Sequence, residues 1–156
     1  MKTIFDSVIL SASAVKSDKR GICRRFDSDT INTVRVYEMP HTGTFFGIHY
    51  HEDVQKTISV IRGSGADFVI DLRPGSPTYL KWEMNILSAE NGSVIYIPQG
   101  FGHAFISLED DTVQLFGCDC ERPSKRSNYR DSKIGLELPV SVVDISDEDD
   151  SAPFLV

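Results

Sequence analysis

Three of the four histidines in this chain have spacings that could bring their imidazoles together. His49 and His51 are two residues apart in a strand-like run, and His103 follows a tight corner that contains Pro98 and Gly100. Residues two apart on a strand face the same side, so His49 and His51 are expected to point the same way. Imidazole titrates near neutral pH, so such a cluster suits either general base catalysis or metal binding.

Two patterns of glycine and histidine contain these residues. The first covers residues 43–63 and the second covers residues 92–107. Both follow the spacing of the two cupin motifs. Lys56 stands where cupins usually carry Glu, and Ser107 stands where they usually carry Asn.

The elements that must position the histidines are short strands. Runs rich in β-branched and aromatic residues cover 33–39, 44–50, 57–63, 67–73, 81–87, 93–99, 103–108 and 113–119. Turn signals such as Asn91-Gly92 separate them, and no long segment has a helical pattern. Even spacing of short strands predicts a sandwich or a closed barrel, whose mouth could gather the three imidazoles.

Composition limits the classes of protein to consider. The chain has 156 residues, of which 40% are hydrophobic, and this predicts one domain over residues 1–156 with a single core. The net charge of −7 argues against nucleic acid or an anionic membrane as a partner. The acidic segment 144–150 is interpreted as a solvated face.

The three cysteines and the N-terminus indicate the compartment. An odd number of cysteines without a signal peptide predicts free thiols in a reducing environment. The first ten residues lack a continuous apolar region and are interpreted as a first strand. No run approaches the length of a membrane span, so a cytoplasmic location is expected.

A metal is one use for the three histidines. His49, His51 and His103 with a Glu would suit iron, manganese or zinc, but the Glu position holds Lys56, whose ammonium repels a cation. A pocket without metal or other cofactor is therefore preferred, and a metal-dependent cupin with these three ligands remains an alternative.

Without metal, the same groups suit removal of a proton next to a carbonyl. His49 would be the general base, and Asp131, which follows a loop, is the candidate carboxylate that orients it. Lys56 would stabilise the oxygen of the enolate that forms when the proton leaves.

Much of the chain resembles the dTDP-4-dehydrorhamnose 3,5-epimerase family, the RmlC-like cupins. The matching segments are Arg20-Gly21, GIHY (47–50), QKTISV (55–60), DLRPGSPTY (71–79), LSAEN (87–91), IPQGFGHAF (97–105) and DSKIGLELP (131–139). The resemblance implies an all-β cupin (RmlC-like) jelly-roll β-barrel with short or no helices, without metal, in a homodimer. It implies an epimerase that acts at C3 and/or C5 of a nucleotide-diphosphate 4-keto-6-deoxyhexose.

The resemblance also implies roles for individual residues. His49 matches the base, Asp131 the carboxylate paired with it, and Lys56 the group that stabilises the enolate. His103 matches a histidine beside the substrate, and Arg20 matches an arginine that contacts the nucleotide sugar. His51 is expected to bind substrate as well.

Two departures from the family concern the pocket. Phe46, expected to contact substrate, stands where the family carries an arginine. The family's catalytic acid, a tyrosine, aligns with Gly117, which has Phe116 beside it. The replacements considered for this acid are Tyr129, Tyr96, Cys118 and water.

Two further functions remain open. RVY (35–37) followed by G-x-H-x-H (47–51) looks like the sugar 3,4-ketoisomerases, which would use His49 and His51 on a dTDP-4-keto sugar. A sugar-binding cupin that has lost its acid and does not catalyse is the other alternative.

Overall fold

The computed structural model of the protein describes residues 5, 8–12, 14–19, 21–25 and 31–155. These residues form twelve strands and one short helix. The elements are β1 (Ile9–Ala12), β2 (Ala14–Asp18), β3 (Gly21–Arg25), β4 (Thr33–Met39), β5 (Phe45–Tyr50), β6 (Lys56–Arg62), β7 (Ser64–Asp71), β8 (Trp82–Ser88), β9 (Ser93–Ile97), β10 (Phe101–Ser107), β11 (Thr112–Cys118), β12 (Lys125–Arg126) and α1 (Asp147–Asp150).

Most of the strands belong to two five-stranded sheets. The first sheet has the order β1-β9-β6-β11-β4 and the second has the order β12-β5-β10-β7-β8, while β2 and β3 form a separate hairpin. All of these pairings are antiparallel. Each of the eight strand-like runs noted in the sequence overlaps one of the strands from β4 to β11, so the prediction of a nearly all-β chain is confirmed.

The main core lies between the two sheets. Ile58 and Val60 of β6 meet Val69 of β7 and Phe105 of β10, and each is at most 1% exposed. Successive side chains alternate between the faces of a strand, so these β-branched and aromatic residues fill the interior while their neighbours point outward.

A second apolar cluster covers the outer face of the second sheet. Phe45 and Ile48 of β5 and Phe68 of β7 are buried there, and the C-terminal part of the chain packs over them through residues such as Leu138 and Val142. This packing brings the C-terminal segment back beside β5. The position of that segment matters for the candidate site.

The acidic segment 144–150 differs from its prediction as a solvated face. It contains α1, whose N-cap Ser146 accepts a hydrogen bond from the backbone N–H of Asp149. Asp149 is only 2% exposed, so the interpretation is wrong for this residue. A carboxylate is buried only where hydrogen bonds or opposite charges compensate for its lost hydration, and these are described below.

Two further expectations concern the first strand and membrane-spanning segments. The first described strand begins at Ile9, and residues 1–4, 6 and 7 lie outside the described residues. Within the described part of the chain, no helix has the length and apolar character needed to cross a membrane.

A stability prediction follows from the close approach of β5 and β10. Gly47 has φ +125°, and a Cβ there would lie 2.7 Å from the Cβ of Ala104. We expect Gly47→Ala to lower the free energy of unfolding by about 2–5 kcal/mol, from backbone strain and overpacking together. Gly75→Ala is the control, because Gly75 has φ +77° with nothing within 4 Å of its Cβ, and it should cost only about 1–2 kcal/mol. Urea unfolding measures both, and equal losses would contradict the steric argument.

Candidate active site

The candidate site begins on two adjacent strands of the second sheet. β5 and β10 pair so that His49 and His103 lie directly opposite each other. Side chains opposite each other on neighbouring strands share a face. Both imidazoles, together with Phe46, line a cavity of about 90 Å³ between the two sheets.

His49 forms a hydrogen-bonded pair with a buried carboxylate. Its Nε2 lies 2.6 Å from Oδ1 of Asp149, which is 3% exposed. Asp149 also accepts hydrogen bonds from the backbone N–H of Gly47 and from Nε of Arg126. Burial raises the pKa of Asp149, but the hydrogen bonds outweigh this effect and hold the pKa below its usual value. An ionised Asp149 fixes the ring and leaves Nδ1 as the nitrogen that can accept a proton.

His103 forms the second such pair. Its Nε2 lies 2.6 Å from Oδ2 of Asp67, a residue of β7 that is completely buried. Oδ1 of Asp67 has no hydrogen-bond partner among the described residues. Burial raises the pKa of Asp67, and the nearby His103 and Lys56 partly oppose this. The cavity thus contains two imidazoles, each supported by its own carboxylate.

Lys56 is a buried lysine at the start of β6. It is 2% exposed, and its Nζ donates a hydrogen bond of 3.4 Å to the carbonyl oxygen of His49. Desolvation lowers its pKa to about 8, although Asp67 and Cys118 favour the charged form. At neutral pH the side chain is therefore still an ammonium, held in the interior next to the His49 strand.

The first sheet supplies the opposite wall of the cavity. β4 and β11 pair so that Tyr37 lies opposite Gln114 and Arg35 lies opposite Phe116. These four side chains all line the cavity, and the ring of Tyr37 lies 5.0 Å from the ring of Phe46 across the gap. The cavity therefore has two imidazoles on one wall and a phenol on the other.

The rim of the cavity contains His51 and Arg122. Nε2 of His51 donates a hydrogen bond to the carbonyl oxygen of Arg122, and desolvation lowers the pKa of His51. Arg122 forms an exposed ion pair with Asp53 at 2.9 Å. An adjacent depression of about 230 Å³ also includes His51 and Arg122, with Lys125 on its far side.

This geometry can transfer a proton at a carbon next to a carbonyl. An imidazole oriented by a carboxylate is a competent general base at neutral pH. A buried ammonium stabilises a negative oxygen more strongly than a solvated one does, because the local dielectric constant is low. The site brings both groups to one small cavity.

The predicted pairing of Asp131 with His49 is wrong. Asp131 accepts hydrogen bonds from the backbone N–H groups of Lys133 and Leu155, and so it ties a turn to the C-terminal segment. The carboxylate beside His49 comes from Asp149, which α1 places next to β5.

The other predicted residues have different outcomes. Lys56, His103, His51 and Phe46 all line the cavity together with His49, and their predicted roles in catalysis and substrate binding stay predictions. Arg20 lies outside the described residues, so its predicted role stays a prediction.

Gly117, the residue aligned with the family's catalytic tyrosine, does not line the cavity. Gly117 faces away from the cavity, because a Cβ there would meet the side chain of Ile31 at 2.6 Å. The inward residue of β11 is its neighbour Phe116, which lines the cavity. A phenyl ring therefore stands at the wall position of β11.

Sequence reasoning missed both carboxylates of the two pairs. Asp149 lies three residues after Ser146, a spacing typical of a helix N-terminus, and this was the available signal for a structured segment. Asp67 is a charged residue in an otherwise apolar strand, which indicates a buried partner. Neither signal names the histidine that each carboxylate contacts.

The structure gives the metal alternative no direct support. Among the described residues, no three side chains of His, Cys, Asp or Glu form a group that could hold a metal ion. His49, His51 and His103 each use Nε2 in a hydrogen bond to a protein oxygen. Their arrangement is that of oriented imidazoles around an ammonium.

Fold and site together define a barrel with an acid–base pocket between its sheets. The family model of dTDP-4-dehydrorhamnose 3,5-epimerase matches residues 2–156. The chain belongs to this family, and the predicted RmlC-like cupin fold is confirmed.

Individual relatives agree with the family. The chain is 38% identical over 122 residues to dTDP-4-dehydro-6-deoxyglucose 3-epimerase of Streptomyces bikiniensis, covering 74% of this chain and 62% of that protein. It is 31% identical to dTDP-4-dehydrorhamnose 3,5-epimerase of Methanothermobacter thermautotrophicus, covering 96% and 90%. The crystal structure of the 3,5-epimerase from Bacillus anthracis with TDP and PPi bound is 26% identical, with a TM-score of 0.92 over 99% of this chain and 98% of that one. The match thus spans less than two thirds of the Streptomyces relative and nearly all of the other two.

Burial of Lys56 predicts a pH-dependent stability. The lowering of its pKa from 10.5 to about 8 corresponds to about 3 kcal/mol of destabilisation while the lysine is charged in both states. As pH rises, Lys56 loses its proton in the folded protein before it does so in the unfolded chain. The penalty is therefore full below pH 8 and disappears towards pH 10.5. We expect Lys56→Met to raise the free energy of unfolding by about 1–3 kcal/mol at pH 7 and by much less at pH 9.5.

Urea unfolding at the two pH values measures this difference. Lys81→Met is the matched control, because Lys81 is exposed, and it should change stability little at either pH. If Lys56→Met raised the free energy of unfolding by the same amount at both pH values, the result would contradict the charged, buried state of Lys56.

Proposed function

We propose that the protein is an epimerase that acts at C3 and/or C5 of a nucleotide-diphosphate 4-keto-6-deoxyhexose. The observation that carries the proposal is the His49–Asp149 pair beside the buried Lys56 ammonium in one cavity. Membership of the family, and relatives named as a 3-epimerase and as 3,5-epimerases, support the reaction class.

The chemistry follows from the acidity of the sugar carbons. C3 and C5 both flank the C4 carbonyl, so loss of either proton gives an enolate. In the proposed reaction Nδ1 of His49 removes the proton, and Asp149 stabilises the imidazolium that results. The Lys56 ammonium stabilises the enolate oxygen, a contribution that is typically worth about 10²–10³-fold in rate for one donor. His103 and Phe46 contact the sugar.

A nucleotide sugar also needs a place for its diphosphate. The cavity between the sheets is small, so the nucleotide must extend beyond it. The neighbouring depression with Arg122 and Lys125 supports a path along this rim, because the net charge of −7 requires a local basic cluster for an anion. The ion pairs of these two residues with Asp53 and Glu52 are exposed and weak, so a diphosphate can replace them. Arg20 is proposed as a further contact to the nucleotide sugar.

One observation favours a second function. His51 lines the same cavity as His49, and two neighbouring imidazoles could move a proton between C3 and the oxygens of the sugar. This would be a 3,4-ketoisomerase of a dTDP-4-keto sugar. The cytoplasmic location expected from the sequence stays a prediction for either function.

The test is NMR of a panel of dTDP-4-keto-6-deoxyhexoses with the purified protein in deuterated water. We expect deuterium at C3, C5 or both, together with a new epimer. His49→Ala should lower the exchange rate by about 10³-fold or more, and Asp149→Asn by at least about 10²-fold. Asp131→Asn is the matched control, because among the described residues the Asp131 carboxylate bonds only to backbone N–H groups of its turn and of the C-terminal segment, and it should exchange at the wild-type rate per folded molecule.

Three outcomes of the same experiment would overturn the proposal. A 3-keto product with deuterium at C4 and none at C5 would establish the ketoisomerase. Binding of the nucleotide sugar without exchange at any carbon would establish a binding protein. Activity that disappears with a chelator and returns with a divalent metal would establish the metal-dependent alternative.

We also propose that the protein forms a homodimer through β4. This strand is at an edge of the first sheet, and its outward residues Val34 and Val36 are each 55% exposed. Apolar side chains on an exposed edge strand favour association. Light scattering during gel filtration should give twice the mass of the chain for the wild type and a monomer for Val36→Lys. Ile86→Lys on the other edge strand, β8, is the control and should remain a dimer, whereas a monomeric wild type would contradict the proposal.

A further inference from the structure

Epimerisation needs a proton donor on the face of the sugar opposite the base. If His49 both removed and returned the proton, the starting configuration would be restored. This requirement rests on the proposed function. The donor must therefore come from the wall that faces His49, and that wall belongs to the first sheet.

The position on β11 where the family resemblance expects a tyrosine offers no proton. Phe116 is the inward residue there, and its ring carries no hydroxyl. Tyr96 lies on the outer face of the first sheet, because it pairs with Thr57, which points away from the interior between the buried Lys56 and Ile58.

Tyr129 is not in the cavity either. Its ring packs 4.7 Å from Phe45 in the cluster on the outer face of the second sheet. All five tyrosines of the chain lie within the described residues, and of these only Tyr37 lines the cavity.

Tyr37 meets the geometric requirement. It projects from β4 into the cavity, between the ring of Phe46 at 5.0 Å and the ring of Phe116 at 6.2 Å. Phe46 and His49 belong to the same strand of the second sheet, so the Tyr37 ring faces the strand that carries the base. A sugar ring between the two sheets would have His49 on one side and Tyr37 on the other.

Arg35 places a positive charge beside the Tyr37 phenol. The two residues are neighbours on the same face of β4, and the Arg35 guanidinium is held by Glu121 at 2.8 Å. Hydrogen bonding to Glu121, and then to Tyr37, raises the pKa of Arg35, so the guanidinium stays charged beside the phenol.

We propose that Tyr37 is the catalytic residue that returns a proton to the substrate carbon on the face opposite His49. The C–H bond on one face breaks, and its proton goes to Nδ1 of His49. The enolate then collapses, and a new C–H bond forms with the proton of the Tyr37 hydroxyl on the other face. The phenolate regains a proton from water and His49 releases one, so the protein returns to its starting state.

The test separates removal of the proton from its return. In deuterated water, Tyr37→Phe should still exchange deuterium into the substrate without inversion, because His49 can remove and return a proton on its own face. Formation of the new epimer should fall by at least about 10²-fold. Tyr96→Phe is the matched control on the same sheet and should keep both rates, and circular dichroism checks that all variants fold.

Each other outcome overturns the assignment. Epimer formation by Tyr37→Phe at the wild-type rate would show that another group returns the proton. Equal loss of exchange and inversion would show that Tyr37 is needed for binding or for enolate formation instead. If the wild type itself shows no exchange or inversion with any sugar, it is the proposed function that fails, and this result is distinct from a failure of Tyr37.

Discussion

The hydrogen bond between His49 and Asp149 joins two parts of the chain that are 100 residues apart. Asp149 reaches β5 because Ser146 caps α1 and because the C-terminal segment packs on the outer face of the second sheet. Packing of the C-terminal segment therefore fixes the orientation of the His49 ring, which lines the cavity. The site forms only when the outer cluster has formed, so its competence depends on the fold of the whole C-terminal region.

The His49–Asp149 hydrogen bond is one of two such pairs that determine the electrostatics of the cavity. Two buried acidic residues, Asp149 and Asp67, are each bonded to an imidazole that lines the cavity, and Asp67 also lies near the buried ammonium of Lys56. In the proposed reaction, Lys56 is the cation available to the enolate oxygen. Burial of the charged Lys56 lowers the stability of the folded protein. In the proposed reaction the same burial strengthens the interaction of Lys56 with the enolate oxygen, a common conflict between stability and function.

The strands and the histidines could be predicted from the sequence, and the carboxylate partner could not. Alternation of apolar residues and turn signals are local, so the strands from β4 to β11 and the cavity residues His49, Lys56 and His103 followed from spacing. The choice between Asp131 and Asp149 depends on how the C-terminus returns, and no local pattern contains that information. The sequence comparison aligned the family's tyrosine with Gly117, but the residue of β11 that lines the cavity is its neighbour Phe116. Local patterns place this position poorly, because a shift of one residue on a strand moves a side chain to the other face.

The polar groups of the cavity wall have moved relative to the family pattern. The resemblance expects an arginine on β5 and a tyrosine on β11, and this chain has Phe46 and Phe116 at the inward positions. A guanidinium and a phenol are nevertheless present on β4, which neighbours β11 and faces β5 across the cavity; there Tyr37 packs against Phe46 and Arg35 lies 6.0 Å from the Phe116 ring. The two phenylalanines pack against the ring of Tyr37, at 5.0 Å for Phe46 and 6.2 Å for Phe116. In the proposed reaction, β4 therefore supplies both the cation, Arg35, and the proton donor, Tyr37, that lie across the cavity from His49.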